Sequence, residues 1–359
     1  MPRGLLAKFM HALRRNLVAR GWVAGSLLLL ACGEGAAGDG GPGGSGGSDG
    51  DGAPAGGSGG ASSGGAASGG APSGGNSTGG SSTGGTEADP PEFETSFSAD
   101  ADLHVVTKSQ LIPGATATRA ADESAADGEV ARLFIAGNPS LGSDDYAGPG
   151  AHAIELDFEH PAQLYGRYEM TVRFPECGAG EELVSGLFTY FNDGSDEDDD
   201  GIADNSEIDI EHLCGDPAYL WLTVWTDYES APAEQFRRTS RLVNMRTGAT
   251  QTTELGGSSW GGLSASAAIP GLALTDFPAA NTYYRLGFEW RADSVRYFLI
   301  HEGVEIELWK LSGAEYVPQR PAEFLINLWH PDTHWSKAGD ADFPANDAEL
   351  RIDWLGIWP

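Results

Sequence analysis

Short runs of alternating apolar and polar residues fill the C-terminal part of the chain, and the clearest run predicts a three-stranded antiparallel sheet. It is YYRLGFEWRADSVRYFLIHEGVEIELWK, residues 283–310, in which every second position from Tyr284 onward is apolar until a polar turn at 291–294. The alternation resumes at Val295 and, after a second turn, at Val304. A period of two residues places such side chains on one face of a strand. We therefore predict two consecutive hairpins here.

The same texture continues across residues 89–359, which contain short β-branched and aromatic runs separated by Gly, Asp, Asn and Pro. This segment has no long stretch of helical periodicity, no internal repeat and no second break in composition. Short, closely spaced strands are typical of antiparallel sheets. We therefore predict one all-β domain at 89–359, folded as a large two-sheet sandwich or jelly roll.

The first 88 residues have a different composition and predict two further segments. Residues 1–31 carry basic but no acidic side chains and end in the apolar run VAGSLLLLA, which is typical of a signal peptide and too short to span a membrane as a mature helix. The LLAC at its end resembles the bacterial lipoprotein cleavage box, in which the cysteine, here Cys32, is lipidated. Residues 32–88 are rich in Gly and Ser and have no aromatic side chain, so we predict a disordered tether.

Charge and cysteine content narrow the partners and the location. The chain has 21 basic and 52 acidic residues, with a formal net charge of −31. Such a surface repels nucleic acids and acidic polysaccharides, so we expect neither as a partner.

With Cys32 assigned to lipid, Cys177 and Cys214 remain as a pair in an oxidising compartment. We expect an exported, monomeric lipoprotein, anchored in a membrane at the outer membrane or cell surface.

Three carboxylates alternate with isoleucines in the stretch SEIDIEHL. In a strand, this order places Glu207, Asp209 and Glu211 on one face and both isoleucines on the other. Like charges about 6.6 Å apart repel one another, so a purely structural strand gains nothing from them. In a cleft, repulsion and burial raise one pKa, so that one group can act as an acid while another stays ionised as a nucleophile. The alternative is a solvated acidic strand face.

The chain resembles glycoside hydrolase family 16, and in particular its bacterial lichenase branch, over residues 165–359. SEIDIE is similar to the family's Glu-x-Asp-x-Glu signature, YGRYEMTVRF to the strand before it, and SGLFTYFND to its cleft-lining strand. The stretches YYRLGFEWRADSVRYFL, INLW and ELRIDWLGIWP are similar to the later strands. The signature lacks the extra residue that bulges this strand in the laminarinase-like branch, which favours lichenase-like or transglycosylase-like relatives.

The resemblance implies a concanavalin A-like jelly-roll β-sandwich with a concave sheet. It implies a retaining, endo-acting glycosidase for a neutral β-glucan with 1,3-1,4 or 1,3 linkages. Glu207 would be the nucleophile, Glu211 the general acid/base and Asp209 the group that tunes the pair, without a catalytic cofactor. The residues that by position would line the sugar subsites are Glu169, Phe188, Tyr190, Asn327, Trp329 and Trp335. The two tryptophans lie in the polar stretch NLWHPDTHW, where exposed indoles suit sugar rings and loop packing is the alternative.

Several positions depart from the lichenase pattern. Asn205 and Ser206 stand where that branch has Trp-Asp, and Thr171 stands where it has arginine. Thr223 and Trp225 stand where it has asparagine and tyrosine. The reaction type is therefore better supported than the substrate.

The acidic loop before the carboxylate strand has the spacing of a calcium loop and resembles a thrombospondin type 3 calcium repeat. Oxygen ligands at alternate positions with a glycine turn suit a hard cation. The last ligand of the pattern would be Glu207, which cannot easily serve as both ligand and nucleophile. The expected ligands are therefore Asp196, Asp198, Asp200 and Asp204 alone, and a solvated acidic insertion is the alternative. The resemblance also implies a structural calcium on the convex face, with Asp353 as its candidate ligand.

The layout of two strands predicts a disulfide. If LVSGLFTYF and SEIDIEHL are antiparallel neighbours, Cys177 and Cys214 lie level with each other near the open end of the hairpin. By loop-closure entropy, a bridge there contributes on the order of 4 kcal/mol.

Two other functions stay open on sequence alone. A transglycosylase differs only in whether water or a sugar hydroxyl resolves the covalent intermediate. A non-catalytic, calcium-dependent glycan-binding lipoprotein could use the same sandwich, but it has no need of all three carboxylates.

Overall fold

The computed structural model describes residues 90–98, 106–110, 115–142, 153–158 and 160–359. The strands in these ranges are β1 Phe93–Thr95, β2 Val106–Gln110, β3 Thr116–Ala121, β4 Glu129–Ile135, β5 Ala153–Phe158, β6 Gly166–Arg173, β7 Val184–Tyr190, β8 Asp204–Leu213, β9 Tyr219–Glu229, β10 Gln235–Asn244, β11 Thr250–Thr252, β12 Ser264–Ser266, β13 Tyr284–Arg291, β14 Ser294–His301, β15 Val304–Ser312, β16 Glu323–Trp329 and β17 Ala348–Trp358. A short 3-10 helix spans Ala314–Tyr316. None of the described segments is a helix long and apolar enough to cross a membrane. The predicted signal peptide, Cys32 and the tether lie outside the described residues.

The strands form two antiparallel sheets. One has eight strands in the order β15-β14-β13-β6-β17-β4-β3, with β1 paired to β17 as well. The other has nine strands in the order β12-β11-β10-β9-β8-β7-β16-β5-β2. The last two strands of the sequence lie in the interior of the sheets. Strand β17 lies between β6 and β4, and β16 lies between β7 and β5. This arrangement confirms the predicted all-β, two-sheet jelly-roll sandwich.

The two hairpins predicted from alternation are β13–β14 and β14–β15. In the first, Trp290 pairs with Val295 across the turn. In the second, Glu302 and Gly303 form the turn with φ angles of 51° and 76°. Two consecutive positive φ values are what a tight type I′ hairpin turn requires, and glycine adopts them at no steric cost.

The core lies between the sheets and fixes the orientation of β8. Ile208 and Ile210 of β8 are fully buried, as are Met170 and Val172 of β6 in the facing sheet. Each such side chain contributes about 1.5–3 kcal/mol when it leaves water. Because these residues occupy the inner face, the alternate positions of β8 must face outward.

Candidate active site

Strand β8 carries the three predicted carboxylates at the centre of the nine-stranded sheet, between β7 and β9. Glu207, Asp209 and Glu211 alternate with the two buried isoleucines, so they point away from the sandwich core. Asp209 is only 5% exposed, whereas both glutamates are partly exposed. The alternation of carboxylates and isoleucines in the sequence is therefore the alternation of outward-facing and core-facing side chains along β8.

The strands beside β8 keep a regular register along the triplet. Phe188 of β7 pairs with Asp209, and Tyr190 lies on the same face two residues further on. Burial raises the pKa of Tyr190, and the charge of Glu207 adds to this effect. The register shift between β8 and β9 falls between Asp204 and Glu207, ahead of the triplet. Phe188 and Tyr190 are thus brought together with the carboxylates.

Two positions that depart from the lichenase pattern hydrogen-bond the carboxylates. Asn205 donates its side-chain N–H to Glu207 at 2.8 Å. Trp225 of β9 donates its indole N–H to Asp209 at 3.0 Å. Donors to a carboxylate favour its ionised form. In the sequence these two residues were only departures from the lichenase pattern, whereas in the structure their side chains bond two carboxylates of β8.

Burial is the main influence on the ionisation of all three carboxylates. It raises the pKa of Glu207 to about 7, against the lowering effect of the bond from Asn205. It also raises the pKa of Glu211 to about 8, with the charge of Glu207 acting in the same direction. Asp209 has a pKa raised well above its ordinary value, first by burial and then by both glutamates. The hydrogen bond from Asn205 favours the ionised form of Glu207, and the charge of Glu207 favours the protonated form of Glu211, which suits a nucleophile and an acid.

Arg238 of β10 supplies positive charge beside the triplet. Its guanidinium carbon lies 5.1 Å from the ring of Trp225 and 4.7 Å from the ring of Trp260, and it donates to the carbonyl of Trp260 at 3.0 Å. The charge of Arg238 lowers the pKa of both Asp209 and Glu211. We refer to the four rings of Trp225, Tyr228, Phe236 and Trp260, which pack together, as the Trp225 cluster.

A second aromatic group, the Trp221 cluster, flanks Glu211. Trp221 of β9 pairs with Glu211 across the sheet. The ring of Trp335 lies 5.8 Å from that of Trp221 and 5.3 Å from that of Trp329. The two tryptophans predicted from sequence are therefore brought together on the side of Glu211. Trp221 was not predicted, although the alternation in YLWLTVW was a signal for it.

Asn327 extends the same face onto β16. It pairs with Gly186 of β7, which in turn pairs with Glu211. The side-chain oxygen of Asn327 accepts the N–H of Gly186 at 3.1 Å, and a Cβ on Gly186 would lie 2.5 Å from that oxygen. On its other side Asn327 pairs with Glu155 of β5, whose pKa is raised to about 8 by burial and by the charge of Asp157. Sequence reasoning missed Glu155, for which the alternation in AIELDF was the available signal.

Glu169 does not belong to this site, so the prediction that it lines the sugar subsites is wrong. It lies on β6 in the eight-stranded sheet, where Tyr168 and Met170 on either side of it face the core. Its carboxylate accepts hydrogen bonds from Arg167 at 2.8 Å and from Arg285. The period of a strand indicates which residues share a face, but it does not indicate which sheet the strand joins.

The acidic loop between β7 and β8 gathers its carboxylates. The groups whose carboxylate oxygens lie within 4.8 Å of one another are Asp196, Asp198 and Asp204, and Asp198, Asp200 and Asp227. Asp227 is a buried residue of β9 that the loop pattern did not predict. Arg237 pairs with Asp200 at 2.6 Å and so engages one of these carboxylates. The all-oxygen donor set is of the kind that calcium prefers, and the calcium assignment of the loop stays a prediction.

Asp353 lies apart from that loop, on β17 of the eight-stranded sheet. Both of its carboxylate oxygens accept the N–H of Ala126, at 3.2 and 3.3 Å. Burial raises the pKa of Asp353, and Asp127 adds to this effect. Its assignment as a calcium ligand stays a prediction.

A disulfide joins Cys177 and Cys214, whose Cα atoms are 5.3 Å apart. Cys214 directly follows β8, and β7 and β8 are antiparallel neighbours as the sequence predicted. The bridge therefore fixes the turn at the end of the carboxylate strand.

No family model matches the sequence, and no curated protein matches it. Among solved structures, the chain is similar to a Bacillus licheniformis β-glucanase, with 17% identity, 76% of this chain and 100% of that chain covered, and a TM-score of 0.43. It is similar to a prokaryotic β-1,3-1,4-glucanase (lichenase) derived from a mouse hindgut metagenome, with 16% identity, coverage of 74% and 98%, and a TM-score of 0.42. It is also similar to a Crh5 transglycosylase in complex with NAG, with 14% identity, coverage of 74% and 83%, and a TM-score of 0.43. At these identities and TM-scores, the function must be argued from the residues of the site.

Proposed function

We propose that the protein is a retaining endo-glycosidase that hydrolyses a neutral β-glucan with 1,3-1,4 or 1,3 linkages. The observation that carries the proposal is strand β8, which holds Glu207, Asp209 and Glu211 on one outward face between two aromatic clusters. A sheet gains no stability from three adjacent carboxylates with raised pKa values, because each must be desolvated beside like charge. Retaining glycoside cleavage requires two such carboxyl groups. The spacing also matches the family 16 signature.

The two glutamates divide the chemistry between them. The ionised Glu207 attacks the anomeric carbon while Glu211 transfers its proton to the departing glycosidic oxygen, which leaves a glycosyl ester on Glu207. Glu211, now ionised, takes a proton from water as the water oxygen attacks the same carbon, and the ester bond breaks. Two inversions at one carbon retain its configuration. Asp209, hydrogen-bonded to Trp225, lies between the glutamates, whose charges raise its pKa, and its protonation state is therefore linked to theirs.

The aromatic rings on both sides of the carboxylates support a chain of sugars as the substrate. Indole rings suit the apolar faces of sugar rings. The Trp221 cluster lies beside Glu211 and the Trp225 cluster beside Glu207. A glycan that contacts both clusters continues in both directions from the cleaved bond, which favours cleavage within the chain. The strongly negative chain disfavours acidic polysaccharides.

Reducing-end release from barley glucan, laminarin, xyloglucan and galactan tests this proposal. We expect release from barley glucan or laminarin, with the β-anomer formed first by proton NMR. The Glu207→Gln variant should release none. Products longer than an oligosaccharide substrate would indicate a transglycosylase, and binding without release would indicate a glycan-binding protein. Release from galactan alone would refute the glucan assignment.

We propose in addition that the chain is exported and anchored by lipid on Cys32, with 32–88 as the tether and 89–359 as the catalytic domain. The apolar run and LLAC sequence before the tether support this location. Labelling of growing cells with an alkyne fatty acid should tag the wild-type protein and leave Cys32→Ser untagged. A tagged Cys32→Ser protein would contradict the proposal.

A further inference from the structure

The segment between β16 and β17 forms a wall of the site, with Trp335 near its tip. The segment folds back on itself, since His334 donates its N–H to the carbonyl of Gly339 at 3.1 Å and Ala341 donates to Asp332 at 2.9 Å. The indole N–H of Trp335 is buried and has no hydrogen-bond acceptor among the described residues.

Glu182, two residues before β7, contacts this segment at three points. Its carbonyl accepts a hydrogen bond from His330 at 3.1 Å, and its N–H donates to the carbonyl of Asp342 at 3.1 Å. One carboxylate oxygen pairs with Nδ1 of His334 at 3.1 Å. The other accepts the N–H of Gly215 at 2.6 Å. The carboxylate of Glu182 therefore links the wall segment to the turn that follows the catalytic strand.

The turn that follows β8, to which the carboxylate of Glu182 binds, is tightly packed and covalently restrained. A Cβ on Gly215 would lie 2.1 Å from the carbonyl oxygen of Glu181 and 2.9 Å from the carboxylate of Glu182, so only glycine fits. The residue before Gly215 is Cys214, which is held by its disulfide. The side chains of Glu182 and His334 are 1% and 4% exposed. Water cannot readily replace a pair buried to this degree, and loss of one partner leaves the other unsatisfied.

We propose that Glu182 and His334 are positioning residues that hold Trp335 in place as a wall of the glycan site. The inference rests on the proposed function in that the ligand is a β-glucan. Lys337 also reaches the turn, through a 3.0 Å bond to the carbonyl of Gly215, but that contact is exposed and water can replace it. Ser336 donates to Asp216 of the turn at 2.8 Å, and that contact is partly buried. The Glu182–His334 pair is the most deeply buried of these three links between the segment and the turn. Stacking on Trp335 is equal in the ground and transition states, so its loss raises KM and leaves kcat nearly unchanged.

The first arm of the test needs no ligand. In the full chain labelled with 5-fluorotryptophan, the fluorine resonance of Trp335 is assigned by its absence in Trp335→Phe. The resonance should shift or broaden in His334→Gln and stay in place in Lys337→Gln, the matched control. An unchanged resonance in His334→Gln would overturn the inference. If His334→Gln fails to unfold cooperatively, the same comparison is made with Glu182→Gln, which keeps an acceptor for Gly215.

The second arm measures binding of a mixed-linkage β-glucan tetrasaccharide by calorimetry in the Glu207→Gln background. His334→Gln should raise the Kd about tenfold, and adding it to Trp335→Ala should cause no further loss. In the active chain the same substitution should raise KM about tenfold with kcat within about twofold. Unchanged affinity in His334→Gln, beside a clear loss in Trp335→Ala, would refute the positioning role. If the parent protein binds no glucan, the proposed function fails, and the fluorine resonance still decides the role of Glu182 and His334.

Discussion

Trp225 donates its indole N–H to the carboxylate of Asp209, 3.0 Å away across the β8–β9 pair. Asp209 lies between two glutamates, and burial and both neighbouring charges raise its pKa. The bond from Trp225 acts in the opposite direction and favours the ionised form. Trp225 therefore contributes both an aromatic ring to the site and a hydrogen bond that influences the ionisation of the β8 carboxylates.

Replacing Trp225 by phenylalanine should reduce both stability and turnover. The change removes a hydrogen bond to a buried carboxylate, which costs about 1.5–3 kcal/mol of unfolding free energy. Because the pKa of Asp209 then rises, the tuning of the glutamates is lost and kcat should fall about tenfold. The matched control is Trp260→Phe, because the indole N–H of Trp260 donates to the exposed side chain of Glu234 at 2.8 Å. Urea unfolding and steady-state kinetics on barley glucan compare the two, and equal effects would contradict the role of the buried bond.

Glu207→Gln should abolish turnover, by about 10⁴-fold or more, while it stabilises the fold at alkaline pH. The pKa of Glu207 is raised in the folded state to about 7. Between its ordinary value and that pKa the folded state holds more protons than the unfolded state, so stability falls as pH rises through this range. The amide that replaces this carboxyl group does not ionise, so the variant does not lose stability in this way as the pH rises. Calorimetry at pH 5 and pH 8 should therefore show a gain in Tm at pH 8 that is smaller at pH 5, and no such gain in the exposed control Glu254→Gln.

The pH dependence of kcat/KM should be bell-shaped and should respond to Arg238. The acidic limb reports protonation of Glu207, and the alkaline limb reports ionisation of Glu211. The charge of Arg238 lowers the pKa of Glu211, so Arg238→Met should move the alkaline limb to higher pH. Arg237, which pairs with Asp200, provides the control Arg237→Met. An alkaline limb that moves to lower pH, or moves equally in the control, would rule out this assignment.

We propose that the acidic loop binds calcium as a structural ion, and that the ion takes no part in the reaction. Calcium at about a hundred times its Kd should add about 2.7 kcal/mol of stability and raise Tm. Asp198 belongs to both carboxylate groups, so Asp198→Asn should remove that rise, whereas Asp199→Asn, outside both groups, should keep it. Turnover should survive in both variants. Loss of turnover in Asp198→Asn as complete as in Glu207→Gln, at saturating calcium and with the fold intact, would join the loop and the catalytic strand in one functional unit.

A chain that begins at Asp89 should fold and retain full activity, because the Gly- and Ser-rich residues before it have almost no apolar surface to bury. The melting curve should be as cooperative as that of the full chain, with the same kcat/KM. Loss of cooperative unfolding in the shortened protein would show that the tether contributes to the fold.

Local alternation was sufficient to predict which side chains share a face. The face that each side chain of SEIDIEHL occupies could be predicted without knowing the neighbouring strands, since a period of two follows from the geometry of a single strand. Sheet membership is a long-range property, which is why Glu169 was assigned to the site and Glu155 was overlooked. The contact between Glu182 and His334 joins residues 152 positions apart. No local pattern in the sequence marks it.

The disulfide lies one residue before Gly215, whose N–H binds the carboxylate of Glu182. A reducing agent removes this covalent restraint but leaves the hydrogen bonds of β8 to its neighbours on both sides. The part that loosens first is therefore the turn after β8 and, through Glu182 and His334, the wall around Trp335. Under the proposed function, protein produced without the disulfide should keep its carboxylate strand in register and bind a glucan less tightly than protein in which the disulfide is formed.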